Sequence, residues 1–293
     1  MNYLLYVISL ISVYGILTIS LNLTVGYTGI LSVAQAAFMG IGAYAAAILL
    51  TQWGFNFFTT LLVGMAITGL VSWALAWATL RLRGDYYVIA SFGFQIIIYN
   101  ILLNWISLTQ GPFGIRQIPP PQAFGFVFQG PLRYALFVLG ALLICLWIAW
   151  RVGESPYGKV LRAIREDDAA AASIGKDVNR YKMVIFTISA MIASVGGALY
   201  ASLITYIDPF AFTIHDSIFI LALVIIGGSG NVYGSVVGAA VLISIPEMLR
   251  FFDVPTTVAS PIREILYGTL MIIFLRLRPK GLLPERIKTG VTR

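Results

Sequence analysis

The chain has 293 residues, of which 59% are hydrophobic and only 11% are charged. A water-soluble domain usually carries about 25% charged residues, so this composition excludes an ordinary soluble protein. A net charge of +7 also occurs in nucleic-acid-binding proteins, but in so apolar a chain it indicates orientation in a membrane.

Residues 1–80 contain no Asp, Glu, Lys, Arg or His. A helix needs about 20 apolar residues to cross a bilayer, whereas barrel strands alternate over segments of about 10 residues. We therefore predict an all-α polytopic membrane protein with a single transmembrane domain over residues 1–293. The first segment lacks a basic start and a cleavage site, so we expect a retained helix. The apolar segments lie near 3–24, 29–50, 57–80, 86–108, 132–150, 182–206, 217–245 and 262–277.

Glycines interrupt the apolar pattern at two places. The early stretch "VGYTG" and the late stretch "IGGSG" each lead into a helix rich in Gly, Ala and Ser, which is compatible with an internal repeat. Broken segments at matching places are typical of a translocation path, although small residues also favour close helix packing. The residues that we expect along such a path are Gly26, Thr28, Gly29, Ser32, Gln35, Gly227, Gly228, Ser229, Gly230 and Asn231.

The basic residues predict the topology, because loops rich in Lys and Arg stay in the cytoplasm. Crossings counted between the basic clusters require segment 217–245 to begin and end outside, so it cannot be a single crossing. We expect a re-entrant or broken helix there, with each half 10–15 residues long. The clusters are Arg81 and Arg83; Arg151, Lys159, Arg162, Arg165, Lys176, Arg180 and Lys182; and Arg276, Arg278, Lys280, Arg286, Lys288 and Arg293.

The polar residues inside the apolar segments are neutral. The absence of charge in the middle of a segment argues against a proton-driven carrier, which usually places an ionisable side chain there. For residues such as Asn22, Gln95 and Ser189, hydrogen bonding between helices is the favoured role. The sequence shows no catalytic arrangement and no spacing typical of a metal site, and the single Cys145 is predicted to be a packed side chain.

The stretch "GESPYGKV", residues 153–160, matches most of a phosphate-binding P-loop. A P-loop follows a strand and has Ser or Thr after its Lys, whereas this stretch follows a membrane helix and has Val160. Ser155 and Pro156 instead predict a helix start, with Ser as N-cap and Pro as the first helical residue. We therefore reject nucleotide binding by this chain.

The sequence of loop 151–181 predicts two short helices. Val160, Leu161 and Ile164 share one apolar face, and the charged side chains lie towards another. Asp167 is expected to cap the second helix, and Gly175 to end it. The loop is either a solvated surface or a docking element whose apolar face enters the groove of a soluble partner.

Four stretches together resemble LivM-type permease subunits of branched-chain amino acid ABC importers: "NLTVGYTGILSVAQAAFMGIGAYAAAIL", "GKVLRAIREDDAAAASIGKDVNRYKMVIFTISAMIASVGGALYA", "LALVIIGGSGNVYGSVVGAAVLI" and "IIFLRLRPKGLLP". The resemblance implies a bacterial inner-membrane subunit that hydrolyses no ATP itself. It implies a second homologous permease, two cytoplasmic ATPase subunits that bind ATP-Mg, a periplasmic or extracytoplasmic binding protein, and membrane lipid as surroundings, with no nucleic acid.

The resemblance also implies that loop 151–181 contacts the ATPases. Three alternatives remain open: a permease of a urea or short-amide importer, a channel or secondary carrier acting alone, and, less well supported, an intramembrane enzyme. The residues that match the coupling loop are Ser155, Gly158, Arg162, Ala163, Ile164, Arg165, Glu166, Asp167 and Gly175.

Overall fold

The computed structural model describes residues 2–79, 85–123 and 126–249, together with residues 268, 269, 272, 276 and 281–284. Within these ranges the helices are α1 (Asn2–Thr28), α2 (Gln35–Thr51), α3 (Phe57–Thr79), α4 (Asp85–Asn104), α5 (Ile106–Thr109), α6 (Pro131–Glu154), α7 (Pro156–Glu166), α8 (Asp168–Ser173), α9 (Val178–Ile204), α10 (Ile214–Gly227) and α11 (Val232–Leu249). Four strands of two residues join them: β1 (Ile115–Arg116), β2 (Gln122–Ala123), β3 (Phe126–Val127) and β4 (Tyr206–Ile207).

The all-α polytopic fold is confirmed. In the described residues, six helical segments are long and apolar enough to cross a membrane, and α2 and the first part of α11 are shorter apolar helices. The predicted segment 217–245 is two helices, α10 and α11. The predicted segment 262–277 lies outside the described residues except for isolated positions.

Helix α1 lies at the centre of the bundle. It is apolar on every side, which is typical of a helix buried all round. Val13, Ile16 and Leu17 are fully buried, and α1 packs against α6, α9, α10 and α11. The charge-free start of the chain therefore forms the core around which the other helices assemble.

Small residues bring α2 and α9 into backbone contact. A Cβ atom on Gly42 would lie 2.5 Å from Ser194 Cα, and one on Gly197 would lie 2.9 Å from Ala43 N. Apolar side chains gain no hydrophobic free energy by moving from lipid into a helix interface, so close van der Waals packing of small residues holds membrane helices together.

The bundle has two distinct ends. We call the end that carries α7 and α8 the loop end, and the end where β1 pairs with β4 in antiparallel fashion the sheet end. Helix α1 finishes at the loop end, because the Arg165 guanidinium of α7 donates a hydrogen bond to Gly26 O. The amino-terminal part of α1 therefore lies towards the sheet end.

Helices α10 and α11 form an antiparallel hairpin whose turn lies at the loop end. A Cβ atom on Gly238 would lie 2.8 Å from Gly227 Cα, and one on Gly227 would lie 2.8 Å from Gly234 C. Further along, Leu242 and Ile243 of α11 pack near Leu10 of α1, towards the sheet end. This hairpin agrees with the prediction that segment 217–245 begins and ends on one side, but α11 has 18 residues, more than expected of half a broken helix.

Candidate functional site

The junction of α6 and α7 begins the candidate site. Ser155 is the N-cap of α7, its Oγ accepts a hydrogen bond from Gly158 N at 3.2 Å, and Pro156 is in the first turn. The predicted helix start is confirmed. A Cβ atom on Gly158 would lie 2.6 Å from Val152 O, so glycine is needed for α6 and α7 to meet at this angle.

The apolar face of α7 is already occupied by this chain. Leu161 is fully buried and Ile164 is 2% exposed, and α7 packs against α1, α6 and α9. The expectation that this face enters the groove of a partner is therefore wrong, because the bundle itself covers it. The exposed residues of α7 include Lys159, Ala163 and Glu166, and any docking partner must contact this opposite face.

Two arginines of α7 turn back onto the end of α1, a contact that no sequence pattern predicted. Arg165 binds Gly26 O, and the guanidinium carbon of Arg162 lies 5.1 Å from the centre of the Tyr27 ring. The last carbonyls of a helix lack partners within the helix and attract cations. Helix α1 has no basic residue in its last turn. That feature of the sequence was the available signal that a cation from another element would bind the end of α1.

Carboxylates complete the outer side of the loop. Glu154 lies 3.8 Å from Arg162, and Glu166 lies 3.4 Å from Arg165. Asp167 caps α8 by accepting hydrogen bonds from two backbone N–H groups at 2.8 and 3.0 Å. Gly175 follows α8 with φ +81°, so both predicted ends of α8 are confirmed.

The first glycine break lies later than expected. Helix α1 continues through Gly26 and Thr28, and the non-helical segment is 29–34. Gly29 has φ +72°, a conformation in which residues with a Cβ are strained. The segment then leads the chain back along α1, because Gln35 Nε2 donates a hydrogen bond to Ser20 Oγ at 2.8 Å.

Most of the predicted path residues are buried inside this single chain. Thr28 is 4% exposed, and Ser32 and Gln35 are each 2% exposed. Their hydroxyl and amide groups bond within the chain, as in the 2.7 Å bond from Thr28 Oγ1 to Thr24 O. In this conformation these side chains therefore contribute packing and hydrogen bonds and do not line an open channel.

The second glycine break is a turn of four residues, 228–231. Gly228 has φ +114° and Gly230 has φ +85°; both glycines are buried, and Ser229 is exposed. Asn231 contributes its side chain as well, because its Oδ1 accepts a hydrogen bond from Tyr233 N at 3.0 Å and so starts α11.

The two breaks touch each other. A Cβ atom on Gly26 would lie 2.8 Å from Gly230 Cα. Asn22 Oδ1 accepts a hydrogen bond from Gly230 N at 2.8 Å, and Asn22 Nδ2 donates to Asn231 O at 2.9 Å. The two predicted sites, loop and breaks, thus form one connected region at the loop end.

Other neutral polar residues join helices as predicted. Gln95 accepts from Ala37 N at 2.7 Å and donates to Phe212 O at 2.9 Å, and Ser189 Oγ donates to Ser20 O at 2.6 Å. Cys145 is buried, as expected.

Asp216 lies in the first turn of α10, within the apolar segment Pro209–Gly227. It caps that helix through Thr213 N at 2.9 Å. The charge therefore has a local structural role at the start of the helix.

Comparison of the sequence with known proteins finds a matching family. The family described as branched-chain amino acid transport system / permease component matches residues 3–275. The branched-chain amino acid permease LivM of Salmonella typhimurium is 33% identical over 93% of this chain and 68% of its own length. LivM of Escherichia coli is 33% identical over 94% of this chain and 69% of its own length.

A more distant relative is the autoinducer 2 import system permease LsrC of an Enterobacter species, 26% identical over 77% of this chain and 65% of its own length. No solved structure matches the chain. A family match over nearly the whole chain agrees with the bundle of apolar helices described above. This chain therefore belongs to the branched-chain amino acid transport permease family.

Proposed function

We propose that this chain is a transmembrane permease subunit of an ATP-driven ABC importer for branched-chain or similar amino acids. It forms half of the translocation path together with a second homologous permease. Its loop 151–181 couples that path to two cytoplasmic ATPase subunits, which hold the ATP-Mg, and an extracytoplasmic binding protein delivers the substrate. The loop end faces the cytoplasm of a bacterial inner membrane.

One observation carries the coupling proposal: α7 is fixed to the bundle on one face and exposed on the other. Its buried face includes Leu161 and Ile164, and its exposed face includes Lys159, Ala163 and Glu166. A partner that pushes on the exposed face moves the bundle, because a close-packed interior transmits displacement.

The sidedness follows from charge. The loop end carries most of the described basic residues of the chain, in the run from Arg151 to Lys182, whereas Arg116 and Arg133 lie towards the sheet end. Basic loops stay in the cytoplasm, so the binding protein would approach the sheet end. The names of the relatives support amino acids as substrates, while the LsrC name shows that related permeases serve other cargo.

The test is co-expression with the ATPase subunits and binding protein of the same transporter, with purification on a tag carried by this chain. We expect the ATPases to co-purify and substrate uptake to require ATP. Replacing Ala163 by Glu should abolish ATPase co-purification, because a charged side chain then stands in the centre of the exposed face. Ser107→Glu, also at an exposed position but at the sheet end, is the matched control and should retain the ATPases.

Two results would overturn the proposal. Uptake by the purified chain alone, without nucleotide, would indicate a channel or secondary carrier. Full ATPase co-purification with Ala163→Glu would show that α7 is not the docking element.

A further inference from the structure

Asn22 connects two parts of the chain that lie more than 200 residues apart. It is 1% exposed, and both ends of its amide bond to the α10–α11 hairpin. Its Oδ1 accepts from Gly230 N, and its Nδ2 donates to Asn231 O at 2.9 Å and to Ser235 Oγ at 2.7 Å. A side-chain amide has two N–H donors. One reaches Asn231 O in the turn between α10 and α11, and the other reaches Ser235 Oγ in the first turn of α11.

The turn has a particular need for these bonds. Residues 228–231 leave the helical conformation, so their backbone groups lose helical partners, and an unpaired backbone group is costly where water is excluded. One helical turn after Asn22, the missing side chain of Gly26 lets the backbone of Gly230 approach α1. Residues four apart lie on one face of a helix, so Asn22 and Gly26 both contact the turn from the same face of α1.

The other side of the same helix turn holds the coupling loop. The carbonyl of Gly26 accepts from Arg165, and Arg162 covers the ring of Tyr27. The end of α1 is therefore clamped between α7 on one side and turn 228–231 on the other. We call these three parts, 22–29, 156–166 and 228–231, the latch block.

The remaining contacts show where motion of the latch block would go. At the loop end, Leu282 N donates to Ile226 O at 2.8 Å and Leu283 N donates to Gly227 O at 3.1 Å, extending the region. At its other end, α10 is tied to α4, because Ser217 Oγ donates to Gln95 Oε1 at 3.2 Å. If the latch block moved while Ser217 stayed bonded to Gln95, α10 would tilt.

We propose that Asn22 is a positioning residue that locks turn 228–231 to α1, so that displacement of the coupling loop moves the α10–α11 hairpin as one body with it. The proposal rests on the proposed function, since the displacement is supplied by the ATPases. Without the Asn22 amide, the loop still moves but the hairpin no longer follows. The expected signature is ATP hydrolysis without matching transport.

The first measurement is a distance in the assembled transporter with Asn22 intact. The chain has a single cysteine, so Cys145→Ala gives a background for spin labels at the exposed positions Lys176 and Ser229. We expect the same Lys176–Ser229 distance distribution with ADP and with ATP plus vanadate. A distance that changes between these states would overturn the latch.

The second measurement uses Asn22→Ala, with Asn104→Ala as the matched control, because Asn104 is exposed and its bond among the described residues runs along its own helix, to Asn100 O at 2.9 Å. For Asn22→Ala we expect stimulated ATPase activity, a label distance that now differs between states, and about tenfold less substrate transported per ATP, a size typical of coupling free energies. An unchanged transport-to-ATP ratio with normal assembly would overturn the latch alone. Failure of the native chain to bind ATPases would instead overturn the proposed function, and with it this coupling role.

Discussion

The two glycine breaks look alike in sequence but do different work in the fold. At the first, α1 stays helical through Gly26, and glycine provides a flat surface on which another backbone rests. At the second, Gly228 and Gly230 take positive φ values that make a tight turn. At the first break the contact residue Gly26 and the positive-φ residue Gly29 are therefore separate, whereas at the second Gly230 both turns the chain and meets the other backbone.

Their outer partners differ as well. The first break is held by side chains of α7, through Arg162 and Arg165. Next to the second, the last carbonyls of α10, Ile226 O and Gly227 O, accept main-chain bonds from residues 282 and 283. On its outer side the first break is therefore open to change through side chains. The second is bounded there by main-chain bonds, and its side-chain contact comes from Asn22 of α1 on the inner side.

The largest expected effect comes from placing a side chain between the two breaks. Gly26→Ala puts a Cβ against Asn22 and the backbone of Gly230, and such overpacking should destabilise the fold by about 3 kcal/mol. Gly93→Ala is the control, since nothing lies within 4 Å of its added Cβ, and a helical alanine should stabilise by about 0.5–1 kcal/mol. Thermal unfolding in detergent measures both, and shifts of equal sign would contradict the contact role of Gly26.

A smaller effect separates turn strain at the two breaks. Gly228 has φ +114° and ψ +109°, a region nearly restricted to glycine, so Gly228→Ala should cost about 1–3 kcal/mol. Gly29 has φ +72°, close to the left-handed helical region, so Gly29→Ala should cost about 1 kcal/mol and Gly29→Asn less. If Gly29→Ala lowered the unfolding temperature as much as Gly228→Ala or more, the second break would not be the more strained of the two.

The smallest effect concerns the loop that holds the first break. Tyr157 Oη donates to Tyr181 O at 2.7 Å, and the two rings stack 4.9 Å apart. Burial, and then the nearby Tyr181 hydroxyl, raise the pKa of Tyr157 from 10.0 to about 12. The pKa of Tyr157 is higher in the folded chain than in the unfolded chain. The stabilisation that the neutral Tyr157 hydroxyl gives the fold is therefore complete below pH 10.0 and is lost as the pH rises through about 12.

Tyr157→Phe should therefore lower stability by about 1 kcal/mol near pH 8, and the deficit should shrink as the pH rises from 10.0 towards 12. Unfolding monitored by tryptophan fluorescence across this range measures the change. Tyr86→Phe, at a residue 71% exposed, is the control and should differ little from the native chain. A deficit that grows with pH would contradict the assignment.

The sequence alone determined the class of fold and the positions of most helices, because a helix in lipid must be apolar over its full length and its loops carry the charges. The start of α7 at Ser155, the caps at Asp167 and Gly175, and the paired direction of α10 and α11 followed from local chemistry or from counting crossings. These are properties of short stretches or of the order of charges along the chain.

Only the tertiary structure decided which face of α7 is exposed, where Arg165 binds, and that Asn22 holds a turn more than 200 residues away. An amphipathic pattern shows that a face is covered but not by what, and the reach of an arginine or an amide depends on elements that meet in space. The glycines of the two breaks illustrate the same limit, since a missing side chain permits either a turn or a close contact, and the neighbours that arrive by folding select between them.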